Sequence, residues 1–228
     1  MAPPMGYLSN LGFGAEVIYS FVIIVCSLIV YFETKELYEL SSHKGIKYFR
    51  QAFLFFAIAY FFRSFIKFML DYFNIRRILD FAPMMFGPLS LFLFMYFSSM
   101  AVFYLTYSLM WKKWNNNSKK IYLFHAIALI ISIVSIFLIN PFVYFGLNIF
   151  LLIFVVIIFY ISHQDQKKRK RKNNLYAIYA LLFIFWILNV IDILIPDFIQ
   201  NIQLFIYLVS SGIFLMILYK VLKKTGSN

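Results

Sequence analysis

The residues best equipped for chemistry in this chain are charges set inside otherwise apolar runs. Arg63, Lys67 and Asp71 recur at every fourth position, which places them on one face of a helix, flanked by Tyr60 and Ser64. A second run carries Asn189 and Asp192 three positions apart, with Trp186 one turn earlier, and a third carries Gln203, Tyr207 and Ser210 at helical spacing. Guanidinium, ammonium and carboxylate groups with amide and phenol neighbours suit ion pairing or the binding of a small charged ligand. Counting from Arg50 and from Asn174, Lys67 and Asp192 both lie about 26 Å along their helices at 1.5 Å per residue. The three polar faces are therefore expected to converge at one depth, with Arg63 or Lys67 paired to Asp192, since a lone charge in lipid is expensive. Two readings follow. Arg63, Lys67, Asp71, Asn189, Asp192, Gln203 and Tyr207 form a ligand or ion site in an internal cavity, opened by Pro83, Gly87 and Pro88. Alternatively, the charges lock the helices together or snorkel towards the surface.

Other chemistry is poorly supported. No nucleophile–base pair or facing pair of acids falls at one depth, so the chain is read as a non-enzyme. His43, His125 and His163 fall at the ends of apolar runs opposite to those of Glu16, Asp71, Asp80, Asp192 and Asp197, so a mixed metal site would have to span the bilayer. No metal or cofactor is expected. Cys26, the single cysteine, lies in an apolar run and reads as a small hydrophobe.

The elements that must position these residues are membrane helices. The 228 residues are 63% hydrophobic and 13% charged, with 30 Phe and 17 Tyr, and the mean hydropathy is +0.83. A soluble domain of this length needs about a quarter of its residues charged. Stretches long enough to cross about 30 Å of hydrocarbon run at about 13–32, 48–72, 81–111, 121–139, 142–161, 175–195 and 202–222. They make one seven-helix domain over residues 1–228, an all-α integral membrane bundle. The runs are apolar on every side, as in Leu151–Phe159, where a membrane barrel would alternate. No basic residue precedes the first run, so it is expected to remain as an anchor. The connections at 33–45, 112–120 and 163–174 are read as polar loops, with Ser41 or Ser42 capping the second helix and Pro141 opening the fifth after Asn140.

Charge gives the expected orientation. With the N-terminus outside and the C-terminus in the cytoplasm, 17 of the 21 basic residues fall on the inner side, leaving only Arg63, Lys67, Arg76 and Arg77 outside. The net charge of +12 then needs no nucleic-acid partner. The run Lys167, Lys168, Arg169, Lys170, Arg171, Lys172 is read as a contact for anionic lipid headgroups.

Seven helices with an outside N-terminus resemble the topology of opsins, G-protein-coupled receptors and SWEET-type sugar carriers. The retinal lysine is replaced here by Leu208–Phe214, and the receptor Asp-Arg-Tyr by Tyr107-Ser-Leu-Met-Trp111; prolines are missing from the first, second and fifth helices. The stretch Glu36–Arg50 resembles small archaeal multi-pass membrane proteins without assigned function, similar in shape to the membrane sensor region of seven-helix histidine kinases. That resemblance implies a sensor or receptor module of the cell membrane working with a cytoplasmic or membrane partner. A transporter or channel using the same charged stripe, and an assembly subunit of a membrane complex, are the alternatives.

Overall fold

The computed structural model describes residues 6–72, 82–111, 114, 119–137, 140–169, 174–195 and 200–225. All of the regular structure among them is α-helical: α1 (Gly6–Ser41), α2 (Lys44–Tyr72), α3 (Ala82–Met110), α4 (Lys119–Phe137), α5 (Pro141–Arg169), α6 (Asn174–Leu194) and α7 (Gln200–Thr225). Six of the seven are long and apolar enough to cross a membrane. The exception is α2, whose first two turns carry Lys44, Lys47 and Arg50 and whose middle carries Arg63. Large apolar side chains face outward as well as inward, among them Ile18, Phe21, Ile153, Leu208 and Leu215. A helix that is apolar all round must be surrounded by apolar matter, and here the outer partner is lipid.

Neighbouring helices define a closed ring. α2 packs between α1 and α3, α3 packs on α5, α5 on α6, α6 on α7, and α7 returns to α1, while α4 lies against α3 with a slight contact to α5. The most hydrophobic stretch of α3 is 61% buried against 22–33% in the other apolar spans, so α3 is the best-enclosed of them. In the middle of the ring Phe56 of α2, Phe185 of α6 and Phe214 of α7 meet edge to face, with centroids 4.7–6.4 Å apart. Such edge-to-face contacts suit the quadrupoles of the rings.

Two of the connections read as loops are largely helix. α1 continues to Ser41 because Glu33–Leu40 is rich in Glu, Lys and Leu, good helix formers, with Lys35 and Glu39 paired across one turn at 3.8 Å. α5 likewise continues to Arg169, and Gln164 donates to the Tyr160 hydroxyl one turn back at 2.6 Å. The expected cap of α2 by Ser41 or Ser42 is also corrected. Ser41 ends α1, where its hydroxyl donates to the Leu37 carbonyl, and Ser42 makes the left-handed stop at φ 48°. His43 occupies the cap position, its carbonyl accepting from Ile46 and Lys47 at 2.9 and 3.4 Å. At α5 the expectation holds. The Asn140 side chain accepts from the Phe142 N–H at 2.9 Å, its carbonyl accepts from Val143 and Tyr144, and Pro141 is the first helical residue.

The α1–α2 turn presses α2 closely on α3. A Cβ on Gly45 would lie 2.9 Å from the Ser108 carbonyl oxygen, the Trp111 indole nitrogen and the His43 ring. One of these contacts is backbone, so Gly45→Ala must push α2 away from α3. We expect it to lower stability by about 1–3 kcal/mol, read as an earlier unfolding midpoint in detergent. Gly146→Ala, where the added atom meets open space, is the control and should change little.

Candidate functional site

At the end of the ring nearest the N-terminus, three helices bring their charges together. Arg63 of α2 donates through Nε to Glu16 Oε1 of α1 at 3.2 Å, and its Nη2 lies 3.5 Å from Asp192 Oδ2 of α6. The side chains are only 18% exposed for Arg63 and 12% for each acid. Little water reaches the group, so each charge depends on its partners.

Aromatic rings enclose the guanidinium. Its carbon sits 5.5 Å from the centroid of Phe94, 5.8 Å from Tyr60 and 6.0 Å from Tyr19, within cation–π range. Tyr207 of α7 stacks on Tyr19 at 4.8 Å. Below the charges lies a polar triangle. The Tyr60 hydroxyl donates to Asn189 Oδ1 at 3.0 Å, the Tyr19 hydroxyl reaches the same oxygen at 3.3 Å, and the two phenols are 3.1 Å apart. Asn189 Nδ2 donates to the Phe185 carbonyl at 2.9 Å, which turns Oδ1 towards the phenols. Two phenols hold two protons for three oxygen–oxygen contacts, so one contact is always without a proton. The triangle therefore has interchangeable hydrogen-bond arrangements with the same atoms.

Of the residues singled out from sequence, Arg63, Asn189, Asp192 and Tyr207 come together here. Of the two partners expected for Asp192, Arg63 or Lys67, the structure pairs it with Arg63. Gln203 is half-buried on α7. The side chains of Lys67 and Asp71 lie outside the described residues, as do those of Lys168–Lys172. Sequence reasoning missed Glu16, Tyr19 and the full role of Tyr60. Glu16 had a usable signal: it is the one acid within the apolar run of the first helix, at the end where Arg63 arrives.

The histidines sit elsewhere, each beside aromatic rings. His43 meets Trp111 edge-on. His125 lies between the hydroxyls of Tyr96 and Tyr104 at 2.8 and 3.4 Å. His163 stacks near Phe159 and Tyr176. Among the described residues, no three His, Cys, Asp or Glu side chains cluster as metal ligands.

At the opposite end the ring is hollow. A cavity of about 420 Å³ is bordered by all six ring helices, with Thr34 and Ser41 of α1, Gly45 of α2, Ser108 of α3, Asp165 of α5, Tyr179 of α6 and Val221 of α7 among its walls. Gly45 and Arg63 are about 27 Å apart along α2, so the cavity and the charge cluster are separate.

These features define a multi-pass helical membrane protein with a buried charge cluster at one end of its bundle. Over 231 residues it is 27% identical to an uncharacterized protein of Archaeoglobus fulgidus, spanning 97% of this chain and 95% of that one. The match runs nearly end to end and is to an archaeal protein without assigned function, as far as the expected resemblance is shown. No protein-family model matches the chain, and no solved structure matches it.

Proposed function

We propose that this chain is a receptor- or sensor-type module of the cell membrane that binds a small charged ligand or ion at the Arg63 cluster. One observation carries the reading: Arg63 holds carboxylates from two other helices at once, Glu16 of α1 and Asp192 of α6. A ligand whose charged group competes for Arg63, or for either acid, acts on three helices together. It shifts their arrangement only as far as it prefers one packing over another. The interchangeable triangle of Tyr19, Tyr60 and Asn189 directly beneath lowers the cost of such a change. A membrane or cytoplasmic partner would read it, as the resemblance to sensor regions noted in the sequence would imply. The helices are unbroken over their described lengths, which supports a receptor over a carrier, whose helices often break at the midplane. The low exposure of the cluster favours an assembly subunit as second reading.

The test is a thermal-shift screen of amino acids, small carboxylates and mono- and divalent cations on protein in nanodiscs. A compound that raises the unfolding midpoint of the native chain, and not that of a folded Glu16→Gln/Arg63→Met/Asp192→Asn variant, supports ligand binding. If every compound acts equally on both, the cluster is a structural clamp.

In this reading α2 also crosses the membrane. Its Arg50 side chain reaches the Tyr31 carbonyl at 3.0 Å and its Arg63 reaches Glu16, so α2 runs antiparallel along the membrane-crossing length of α1. The Arg63 end then faces outside and the basic run Lys167–Lys172 faces anionic lipid in the cytoplasmic leaflet. Reporter fusions at both termini check this. The N-terminal fusion should be active only outside and the C-terminal one only in the cytoplasm; the reverse pattern removes the orientation.

A further inference from the structure

The hollow end of the ring carries a cluster of hydroxyl groups that act as acceptors. Ser108 Oγ donates to the Leu105 carbonyl at 2.7 Å, so its contact with the Tyr179 hydroxyl at 3.0 Å uses the phenol's proton. Thr34 Oγ1 donates to the Val30 carbonyl at 2.6 Å and Ser41 Oγ to the Leu37 carbonyl at 2.5 Å. Four wall hydroxyls have thus given their protons to the protein and retain only acceptor lone pairs. The last turns of α1 and α3 also border the space, at Ser41 and at Ser108 and Leu109, and their C-terminal carbonyls add acceptors. An occupant that brings hydroxyl donors can satisfy these oxygens.

The mouth has the opposite character. Lys44 and Lys47 flank the lining residues Gly45 and Ile46, Lys167 follows Asp165 by two positions, and Lys220 and Lys223 bracket Val221. All are exposed except the half-buried Lys220. Asp165 is the counter-charge on the α5 side, so an anion is directed towards Lys44 and Lys47 on α2. Neither an organic cation nor a plain hydrocarbon fits both halves: lysines repel the first at the mouth, and the second leaves buried acceptors without donors.

We propose that this cavity binds a small polyol phosphate, with its hydroxyl groups donating to Tyr179, Ser108 and Thr34 inside and its phosphate between Lys44 and Lys47 at the mouth. The volume lies within the range of ligand sites, about 300–1,000 Å³. This site is independent of the Arg63 cluster. The same chemistry is offered by a soluble molecule and by a phospholipid headgroup, and the experiment separates the two.

Protein in detergent is titrated with glycerol phosphate and with inorganic phosphate by calorimetry. In parallel, its unfolding midpoint is compared in nanodiscs of phosphatidylcholine with and without phosphatidylglycerol. Binding of glycerol phosphate in detergent identifies a soluble ligand; stabilisation by phosphatidylglycerol alone identifies a headgroup. In either case Lys44→Gln and Lys47→Gln, both at exposed positions, should each weaken binding about fivefold. Tyr179→Phe should weaken glycerol phosphate and leave inorganic phosphate unchanged, which a merely structural role for the phenol does not produce. The proposal is overturned if neither probe binds, or if binding ignores all three substitutions.

Discussion

Arg63→Met is expected to be among the most destabilising single substitutions in this protein. It removes the guanidinium that Glu16 and Asp192 share in a setting only 12–18% exposed. Breaking a buried ion pair by deleting one member costs about 3–5 kcal/mol, because the remaining charge stays buried. Here two carboxylates are left to repel each other at the same spot. Asp192→Asn is milder, at about 2 kcal/mol, since Arg63 keeps its bond to Glu16. The sign of the combination is the sharper test. Adding Glu16→Gln and Asp192→Asn to Arg63→Met removes all three charges and should recover most of the lost stability. Unfolding midpoints in detergent decide the matter: equal losses for Arg63→Met and Asp192→Asn, or no recovery in the triple variant, rule out the shared clamp. If the cluster also binds a ligand, the triple variant regains stability and stays deaf to that ligand.

The second large effect belongs to the ring's centre. Phe214 is completely buried and touches Phe56 and Phe185. In a bilayer the usual gain from leaving water is missing, because lipid tails are as apolar as the core. What Phe214→Ala loses is packing. A residual cavity of about 100 Å³ at about 24 cal/mol per Å³ gives about 2.4 kcal/mol. Phe205 lies on the same helix and is 66% exposed, and Phe205→Ala should fall within about 0.5 kcal/mol of the native chain. Comparable losses at both positions would mean that the outward face of α7 is covered by protein rather than lipid.

Much of the architecture is legible in the sequence because crossing a bilayer is a one-dimensional constraint. Apolar runs of sufficient length mark the helices, and Asn140-Pro141 marks the start of α5 almost to the residue. That Asp192 pairs with a basic residue of the second run follows from similar depth and the cost of a lone charge, although the depth count points to Lys67 and the partner found is Arg63, one turn earlier. Hydropathy reports only contact with lipid, however, and says little about which helices are neighbours. Glu16 stands out as the lone acid of its run, but hydropathy alone does not say that α1 lies beside α2 at that face. The hollow end was illegible for the same reason: its walls come from six helices, each contributing one to three ordinary residues. The polar stretches at 33–41 and 163–169 look like loops by charge alone, yet both are helix. Helix formers such as Glu, Lys and Leu continue a helix into water without difficulty.

The two-residue joint at Ser42 and His43 bears on how the chain enters the bilayer during synthesis. α2 alone is a poor substrate for insertion, because Arg63 is costly at the centre of a hydrocarbon slab and the first two turns are basic. So short a joint holds α1 and α2 side by side as soon as both have emerged, with Glu16 opposite Arg63. The pair can then partition as one helical hairpin whose opposing charges are already matched. In the proposed seven-span arrangement, a lengthened joint would let α1 depart into lipid alone and leave α2 without its matched partner as it inserts.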